Sequence, residues 1–497
     1  MSIKVETYTR ISVSKFFIII ACWAALFVTS AYAQKKAKKT MYNSYRGLVM
    51  AGYQGWFNTP GDGADLQWRH YTGKNGFKPG SCSIDFWPEV SEYTKLYPTD
   101  FEFEDGSKAQ VFSSHDASTV DVHFRWMKEY GLDGVFMQRF VADIRHPKIK
   151  NHFDTVLQNA MISALKYERA ISIMYDLSGI RKQDVELVLT DIDTLSRQYS
   201  LFKHTHNPSY LYHNGKPLVT VWGVGFNDGR HYGLDEIEYL VSQLKKRGFS
   251  IMLGVPAFWR ELRNDAINDV RLHTLIKRCD IIMPWLVARF NESRYPYFKE
   301  LIKQDIQWTN ANKVDYAPLC FPGFSWGNMK DNNAYIPRNE GKFFKKQLDG
   351  AIESGAQMLY IAMFDEMDEG TAIFKCATRV PKPVPGSIFV PIETSTGSDY
   401  YLRLVGEARK QLQEKLLALL LMALLSGTGA YAQEAPDKQK TPDKVVIFRF
   451  LPGEEMFSLK DNEAELERLY MLVDKHRAEI TAGRMPVFVD GYCGSPQ

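Results

Sequence analysis

The chain contains 497 residues, of which 45% are hydrophobic and 13% aromatic, and its formal net charge is +3. This length and hydrophobic content are sufficient for one large domain, or for two smaller ones, with a full-sized core. Because acidic and basic residues are interspersed along the chain, the sequence does not predict a nucleic-acid partner.

The N-terminal segment has the pattern of a secretory signal peptide. Lys4, Arg10 and Lys15 precede an apolar run over residues 16–28, and Ala31-Tyr32-Ala33 supplies an Ala-x-Ala cleavage site. We therefore predict a signal peptide over residues 1–33 and an exported protein, either periplasmic or extracellular at the cell surface. The apolar run is too short for a comfortable membrane span, so no transmembrane span is predicted.

The cysteines do not suggest a structural framework. Cys22 follows Ile19-Ile20-Ala21 and resembles a lipobox, so a lipid anchor at Cys22 is the less favoured alternative to cleavage after Ala33. The other five cysteines are widely spaced and odd in number, which describes neither a disulfide framework nor a zinc site. No cofactor and no metal are predicted. His204-Thr205-His206 has no nearby Cys or acidic residue and is interpreted as a loop feature.

Eight short apolar runs predict buried strands, each bounded by turn residues or by a helical pattern. They cover residues 47–53, 134–139, 171–176, 218–223, 251–256, 281–285, 316–321 and 357–362. A loop-rich excursion over residues 58–114 separates the first two strands. Within it we predict a helix around residues 87–95 and a short strand at 111–113.

A helical pattern precedes each predicted strand from the second onward, and several of the helices end at a glycine. The predicted helices cover residues 119–130, 153–166, 184–199, 234–247, 269–277, 297–310, 341–354 and, closing the domain, 400–413. This alternation predicts an α/β protein, a (β/α)8 TIM-type barrel over residues 34–414. A doubly wound sheet is the alternative, but Gly52-Tyr53-Gln54-Gly55 is not the Gly-rich phosphate turn that such a fold uses.

In barrels of this type the active site lies at the C-terminal ends of the strands, so residues just past each run should converge. Indole rings and amides at strand ends suit stacking on sugar rings and hydrogen bonding to hydroxyl groups, which predicts a carbohydrate partner. The predicted substrate-binding residues at the strand ends are Tyr53, Gln54, Trp56, Gln138, Arg139, Tyr175, Asp176, Trp222, Trp259, Trp285 and Trp326. Phe324 is expected to lie at the same end of the barrel.

An acidic loop follows the eighth predicted strand. Asp365, Glu366, Asp368 and Glu369 place four carboxylates within five positions, and the repulsion among them has a cost that a binding or catalytic role would explain. A solvated acidic loop is the alternative explanation. Glycoside cleavage needs one protonated and one ionised carboxyl group, and crowding of like charges separates two such pKa values. Asp365 and Asp368 are predicted to bind substrate beside such a pair of carboxyl groups.

The sequence beyond residue 414 has the features of a second protein's beginning. The apolar run over residues 416–425 and the following Ala430-Tyr431-Ala432 repeat the signal-peptide pattern, so residues 415–432 are predicted to be a second signal-like segment. Residues 433–497 are predicted to be a small appended C-terminal segment. The part from Phe448 to Gly494 resembles the start of an outer-membrane-associated surface protein of the Bacteroidetes. The simplest interpretation is a fusion of two reading frames.

Two motifs resemble a known enzyme family. Glu366-x-x-Glu369-Gly370-Thr371 after the last barrel strand is similar to the acidic motif of glycoside hydrolase family 99, the endo-α-mannosidases. Residues 46–414, with their opening Gly52-Tyr53-Gln54-Gly55-Trp56-Phe57, resemble the secreted family 71/99-like proteins of the Bacteroidetes. The chain departs from family 99 at Met367, where the family has Trp, and at Asp365.

The resemblance implies hydrolysis of α-linked glycosides. In the family's mechanism, the glutamate matching Glu366 acts as a base on the sugar 2-hydroxyl group and gives an anhydro-sugar intermediate. The glutamate matching Glu369 protonates the leaving oxygen. These roles implicate Glu366 and Glu369 as the catalytic pair. Two further hypotheses stay open at the level of sequence: a carbohydrate-binding barrel that has lost catalysis, and a metal-dependent hydrolase that uses the four carboxylates as an oxygen-ligand cage.

Overall fold

The computed structural model describes residues 42–330 and 334–428, and side chains up to residue 419. It divides the chain into two compact units, Met1–Leu412 and Gln413–Gln497. The predicted signal peptide at residues 1–33 and the predicted appended segment at 433–497 lie outside the described residues. All of the described strands belong to the first unit, and the last described helix continues past its boundary.

Within the described residues, eight parallel strands form a closed (β/α)8 barrel, which confirms the predicted fold class. Each strand pairs in parallel with its neighbour in the chain, and the first pairs with the last. The strands are Val49–Tyr53, Gly134–Phe140, Ala170–Asp176, Lys216–Trp222, Ser250–Pro256, Ile281–Trp285, the split strand Asp315–Tyr316 with Leu319–Cys320, and Leu359–Ile361. Their near-complete burial explains why they read as continuous apolar runs.

The seventh strand closes the barrel and is divided at Pro318. Its first half pairs with the sixth strand, where the Ala317 amide donates to the carbonyl of Ile282 at 2.9 Å. Its second half pairs with the eighth strand, where the Tyr360 amide donates to the Pro318 carbonyl at 3.0 Å. Because proline has no amide hydrogen, the strand changes partners at the residue that cannot donate.

Eight helices of six or more residues are described, and they lie where the periodicity predicts them, with boundaries shifted by a few residues. They are Ala117–Tyr130, Pro147–Tyr167, Val185–Gln198, Leu234–Lys246, Arg271–Ile276, Tyr295–Asn312, Lys342–Glu353 and Tyr400–Thr428. The helix that begins at Ala117 ends as predicted at Gly131, whose φ of 84° lets its amide donate back to the carbonyl of Met127.

The excursion between the first two strands differs from the prediction. Residues 87–95 form turns instead of a helix, because their backbone pairs with the segment after the acidic loop: the Glu89 amide donates to Lys375 and the Ala377 amide to Trp87. A hairpin of Tyr97–Glu102 and Lys108–Val111 replaces the predicted short strand. The excursion therefore packs on the same end of the barrel as the acidic loop.

The closing helix is longer than predicted. It begins at Tyr400, as expected, but continues to Thr428 instead of ending at residue 413, and so runs through much of the predicted second signal-like segment. None of the described helices combines the length and apolar character needed to cross a bilayer. Inside the first unit, Arg409 on this helix donates from Nε to the Asp133 carboxylate at 2.8 Å.

Candidate active site

The C-terminal ends of the barrel strands surround a cavity of about 290 Å³. Ten residues singled out from the sequence line it: Gln54, Trp56, Gln138, Asp176, Trp222, Trp285, Phe324, Trp326, Glu366 and Glu369. The rest of its wall comes from residues that sequence reasoning missed: Phe140, Met174, Ser178, Phe226, Asp228, Arg230, Val287, Ala288 and Arg289. The two candidate catalytic glutamates thus share one cavity with four tryptophans.

The backbone of the acidic loop is fixed on both sides. The Phe364 amide donates to the carbonyl of Gly52 at 2.8 Å, which ties the loop to the first strand. Gly370 has a φ of 67°, and a Cβ there would lie 2.9 Å from the amide nitrogen of Ser325, so the turn requires glycine. The buried guanidinium of Arg338 donates to the carbonyls of Gly370 and Ala372 at 2.9 and 2.6 Å.

Glu366 is buried and each of its carboxyl oxygens accepts a hydrogen bond. The side-chain amide of Gln54 donates from Nε2 to Oε1 at 2.7 Å, and the Thr371 hydroxyl donates to Oε2 at 2.5 Å. Burial, with the charges of Glu369 and Asp368, raises the pKa of Glu366 well above its ordinary range. The two donors nevertheless suit an ionised carboxylate once the neighbouring glutamate holds a proton.

Glu369 lies in the same wall and is less enclosed than Glu366. Burial and the neighbouring Asp368 raise its pKa to about 7. The two glutamates interact electrostatically, so their protons are released in steps that belong to the pair. A pair that holds one proton near neutral pH supplies both an acid and a base.

Asp176 adds a third carboxyl group to the cavity from the end of the third strand. Burial raises its pKa to about 6, and its Oδ1 accepts a hydrogen bond from the Ser178 amide at 2.7 Å. Its charge is one of those that act on Glu369. The predicted role of Asp176 beside the catalytic pair is therefore compatible with its position.

The other two members of the acidic loop do not line the cavity. Asp365 is fully buried and accepts hydrogen bonds from the amides of Gln54 and Gly55, both at 2.8 Å. Asp368 is 1% exposed and contacts Nδ1 of His70 at 2.9 Å. Asp365 and Asp368, which were predicted to bind substrate, are therefore not part of the cavity lining and instead contact neighbouring segments.

Three predicted strand-end residues point out of the barrel. Successive side chains of a strand alternate in direction, so Tyr53, Arg139 and Tyr175 face outward because Gln54, Gln138 and Asp176 face the cavity. The Tyr53 hydroxyl contacts His123 at 2.8 Å, and Arg139 and Tyr175 both bind the buried Asp191. None of the three lines the cavity.

Trp259 is the sixth predicted residue that the fold keeps away from the cavity. It is completely buried beneath the loop after the fifth strand, and its indole Nε1 donates to Asp305 at 3.2 Å. The ring packs edge-on against Trp308 at a centroid distance of 4.9 Å. This tryptophan is a packing residue.

Several polar atoms in the cavity-lining side chains are buried without a hydrogen-bond partner among the described residues. Among them are Oε1 of Gln54, Nε1 of Trp56, Oε1 of Gln138 and Nε1 of Trp222. Buried polar atoms are rarely left unpaired in folded proteins, and such atoms at a cavity commonly bind water or a ligand. These two acceptors and two donors suit a ligand that carries several hydroxyl groups.

The loop after the fourth strand places a positively charged side chain, Arg230, in the cavity wall, which the sequence analysis did not predict. The Arg230 guanidinium lies 5.1 Å from the Trp222 ring and 4.8 Å from the Phe226 ring, and it donates to the Tyr232 hydroxyl at 2.7 Å. Arg230 could have been predicted from the sequence, because it lies in the loop after a predicted strand and such loops form the mouth of the site in a barrel.

The described residues contain no group of three or more His, Cys, Asp or Glu side chains placed to hold a metal ion. Within the acidic loop, two carboxylates face the cavity and the other two accept hydrogen bonds from, or contact, neighbouring segments. The four carboxylates therefore do not converge on one point in this structure.

No protein-family profile matches the chain, and no curated protein matches it. Among solved structures, the chain is similar to the GH99 endo-alpha-mannosidase from Bacteroides thetaiotaomicron, with a TM-score of 0.54 and 15% identity over 75% of this chain and 99% of that one. A structure of that enzyme in complex with BIS-TRIS-propane gives a TM-score of 0.53 and 16% identity over the same shares. At these identities the similarity establishes the shared barrel fold.

Proposed function

We propose that the protein is a glycoside hydrolase that cleaves α-linked glycosidic bonds in a polysaccharide or glycan, of the α-mannan or α-glucan type. The observation that carries the proposal is the placement of Glu366 and Glu369 in the wall of one cavity, with interacting titrations. The family resemblance of the motif and the barrel fold shared with an endo-alpha-mannosidase support it.

The cavity wall supports a carbohydrate substrate. Trp56, Trp222, Trp285 and Trp326 offer apolar ring faces, and sugar rings stack on such faces through their C–H groups. The unpaired Gln54 and Gln138 oxygens and the unpaired indole nitrogens would bind sugar hydroxyl groups. Apolar faces beside hydroxyl-binding atoms match the two-sided chemistry of a pyranose ring.

The different surroundings of the two glutamates support different roles. Burial raises the pKa of both, but Glu366 accepts two hydrogen bonds that favour its ionised form while Glu369 holds the proton of the pair, so Glu366 acts as the base. Glu369, with a pKa of about 7, acts as the acid that protonates the leaving oxygen. Gln54 orients the base, and the rigid loop holds both groups in one geometry.

The test of this function is a screen of the purified protein on α-mannans, α-glucans and aryl α-glycosides. We expect cleavage of at least one of these α-linked substrates. Binding of glycans without cleavage of any of them would support a carbohydrate-binding barrel instead. Activity that disappears with EDTA and returns with Ca²⁺ or Mg²⁺ would support the metal-dependent alternative.

The pH dependence of the reaction follows from the acid's pKa. Glu369 must be protonated to act, and its pKa is raised to about 7, so kcat/KM should fall as the pH rises through about 7. Below that limb the rate should fall again once Glu366 becomes protonated, which gives a bell-shaped profile of the pair. A kcat/KM that still increases between pH 7 and pH 9 would contradict Glu369 as the acid.

We also propose that the active protein is exported and that its catalytic part is residues 34–414. N-terminal sequencing of the secreted protein should find Gln34 as the first residue. A protein that contains residues 34–414 alone should have the melting temperature and turnover of the longer chain, because every residue of the cavity precedes residue 370. A melting temperature lower by several degrees, or lost turnover, would show that the tail supports the barrel.

A further inference from the structure

His70 connects the excursion between the first two strands to the candidate active site. Its imidazole ring stacks on the Trp56 indole with a centroid distance of 3.8 Å and an interplanar angle of 4°. On the same ring, Nδ1 lies 2.9 Å from Oδ2 of Asp368. His70 thus contacts one cavity-wall residue and the carboxylate that sits between the two catalytic glutamates in the chain.

The backbone around His70 holds the ring in this position. Its carbonyl accepts a 2.5 Å hydrogen bond from the Ser83 hydroxyl, and its φ is 60°. The Asn58 amide donates to the carbonyl of the adjacent Arg69 at 3.1 Å, which closes the excursion onto the end of the first strand. The stacked ring is therefore fixed from its own segment as well as by its two partners.

The hydrogen-bond inventory of Asp368 indicates which atom carries the proton. Its Oδ1 is buried without a hydrogen-bond partner among the described residues, so the ionised carboxylate is poorly stabilised. Burial raises the pKa of Asp368 to about 8 and lowers the pKa of His70 to about 3. A protonated Asp368 would donate from Oδ2 to Nδ1 of His70, with the imidazole hydrogen on Nε2.

The charge of Asp368 matters because of its neighbours. The titratable groups that act on Asp368 or feel its charge are Tyr71, Asp85, Asp365, Glu366 and Glu369. The charged groups that act on His70 are Arg69 and Asp143, which form an ion pair with each other. The charge of an ionised Asp368 contributes to the raised pKa values of Glu366 and Glu369, and protonation of Asp368 removes that contribution.

We propose that His70 is a positioning residue with two separable functions: its ring holds the Trp56 platform against the cavity, and its Nδ1 keeps Asp368 protonated, which limits the negative charge beside Glu366 and Glu369. This inference rests on the proposed glycosidase function. It assigns to the excursion a direct part in setting the acid and base of the reaction.

Two substitutions separate the two functions. His70→Phe retains an aromatic ring but removes the acceptor, so Asp368 should ionise at lower pH. We expect the basic limb of the kcat/KM profile to move upward by about one pH unit, the size of a nearby unit charge in a partly buried site. In His70→Asn an amide oxygen lies near the position of Nδ1, and the stack on Trp56 is lost. Asparagine is compatible with the positive φ at this position. We expect it to raise KM about three- to tenfold with the pH profile unchanged.

A double-mutant cycle of His70→Phe with Asp368→Asn tests whether His70 acts through Asp368. In the Asp368→Asn protein the carboxyl group is permanently neutral, so adding His70→Phe should no longer shift the basic limb. His206→Phe, in an exposed loop that precedes the fourth strand at the other end of the barrel, is the matched control and should change neither KM nor the profile. An unshifted limb in His70→Phe, or an equal shift in the Asp368→Asn background, would overturn the proposal.

A measurement without turnover distinguishes failure of this inference from failure of the proposed function. Infrared difference spectra of the wild-type protein against Asp368→Asn, recorded across pH, follow the protonated carboxyl band of Asp368 directly. We expect that band to persist above pH 7 in the wild-type protein and to be lost at lower pH in His70→Phe. A band that titrates identically in both proteins refutes the role of His70, whether or not a substrate has been found.

Discussion

Glu366→Gln and Glu369→Gln should each reduce turnover of an α-linked substrate by a factor of about 10² to 10⁴, the usual contribution of general acid–base catalysis. Glutamine keeps the shape of the side chain and part of its hydrogen bonding but cannot exchange the proton. Both positions lie in the cavity wall, and Glu366 also accepts from Gln54 and Thr371. Folding should change little, because each substitution keeps the volume of the side chain and introduces no charge.

The two variants should differ in their dependence on the leaving group. If Glu369 is the acid, Glu369→Gln should recover most of its rate on an aryl glycoside whose phenolate leaves without protonation. If Glu366 is the base, Glu366→Gln should lose rate on every substrate alike. Initial rates on one natural and one activated substrate measure both effects.

Glu129→Gln is the matched control for these variants. Glu129 lies near the C-terminus of the helix Ala117–Tyr130, at the opposite end of the barrel, and its side chain is 45% exposed. This variant should retain wild-type turnover. Near wild-type rates on a natural substrate in both active-site variants would refute the two-carboxylate mechanism.

Arg139→Ala should be among the most destabilising single substitutions in the barrel. The Arg139 side chain is 1% exposed and binds both oxygens of Asp191 at 2.7 Å, and the Tyr175 hydroxyl donates to the same carboxylate. Removing the arginine leaves Asp191, itself 3% exposed, without its main counter-charge. Breaking a buried pair in this way costs about 3 to 5 kcal/mol of the free energy of unfolding.

A second variant tests whether the cost comes from the unpaired charge. In Arg139→Met combined with Asp191→Leu and Tyr175→Phe, both charges and the hydroxyl that donates to Asp191 are replaced by apolar groups, so most of the lost stability should return. Urea unfolding at constant m-value measures both effects. Arg271→Ala, which breaks an exposed pair with Asp235, should leave the unfolding midpoint unchanged. An Arg139→Ala midpoint equal to that of Arg271→Ala would contradict the assignment.

Arg139 also shows why the set of site residues could be predicted only in part. Position at a strand end was used as the criterion, and it brought Gln54, Gln138 and Asp176 to the cavity. The direct neighbours Tyr53, Arg139 and Tyr175 were included with them, although a strand can present only alternate residues to one face. Applying the two-residue period at each strand end would have excluded all three.

Other features depend on contacts that no local pattern records. Residues 87–95 have an apolar spacing compatible with a helix, but their backbone pairs with residues 375–377, far along the chain. The stack of His70 on Trp56 and its contact with Asp368 likewise join segments 14 and 298 positions apart. Such long-range partners override local preference because burying unpaired backbone groups or an unpaired carboxyl group would cost more.

The strand and helix order and the barrel class could be predicted from the sequence, because apolar periodicity is a local property. The position of the charged loop after the last strand, with its resemblance to a family motif, singled out Glu366 and Glu369 as the predicted catalytic pair. The tertiary structure alone decided which of the four carboxylates face the cavity. Asp365 and Asp368 carry the same charge as the glutamates, but the amides of Gln54 and Gly55 and the ring of His70 hold them outside it. Those partners come from other segments, and only the folded chain brings them to the loop.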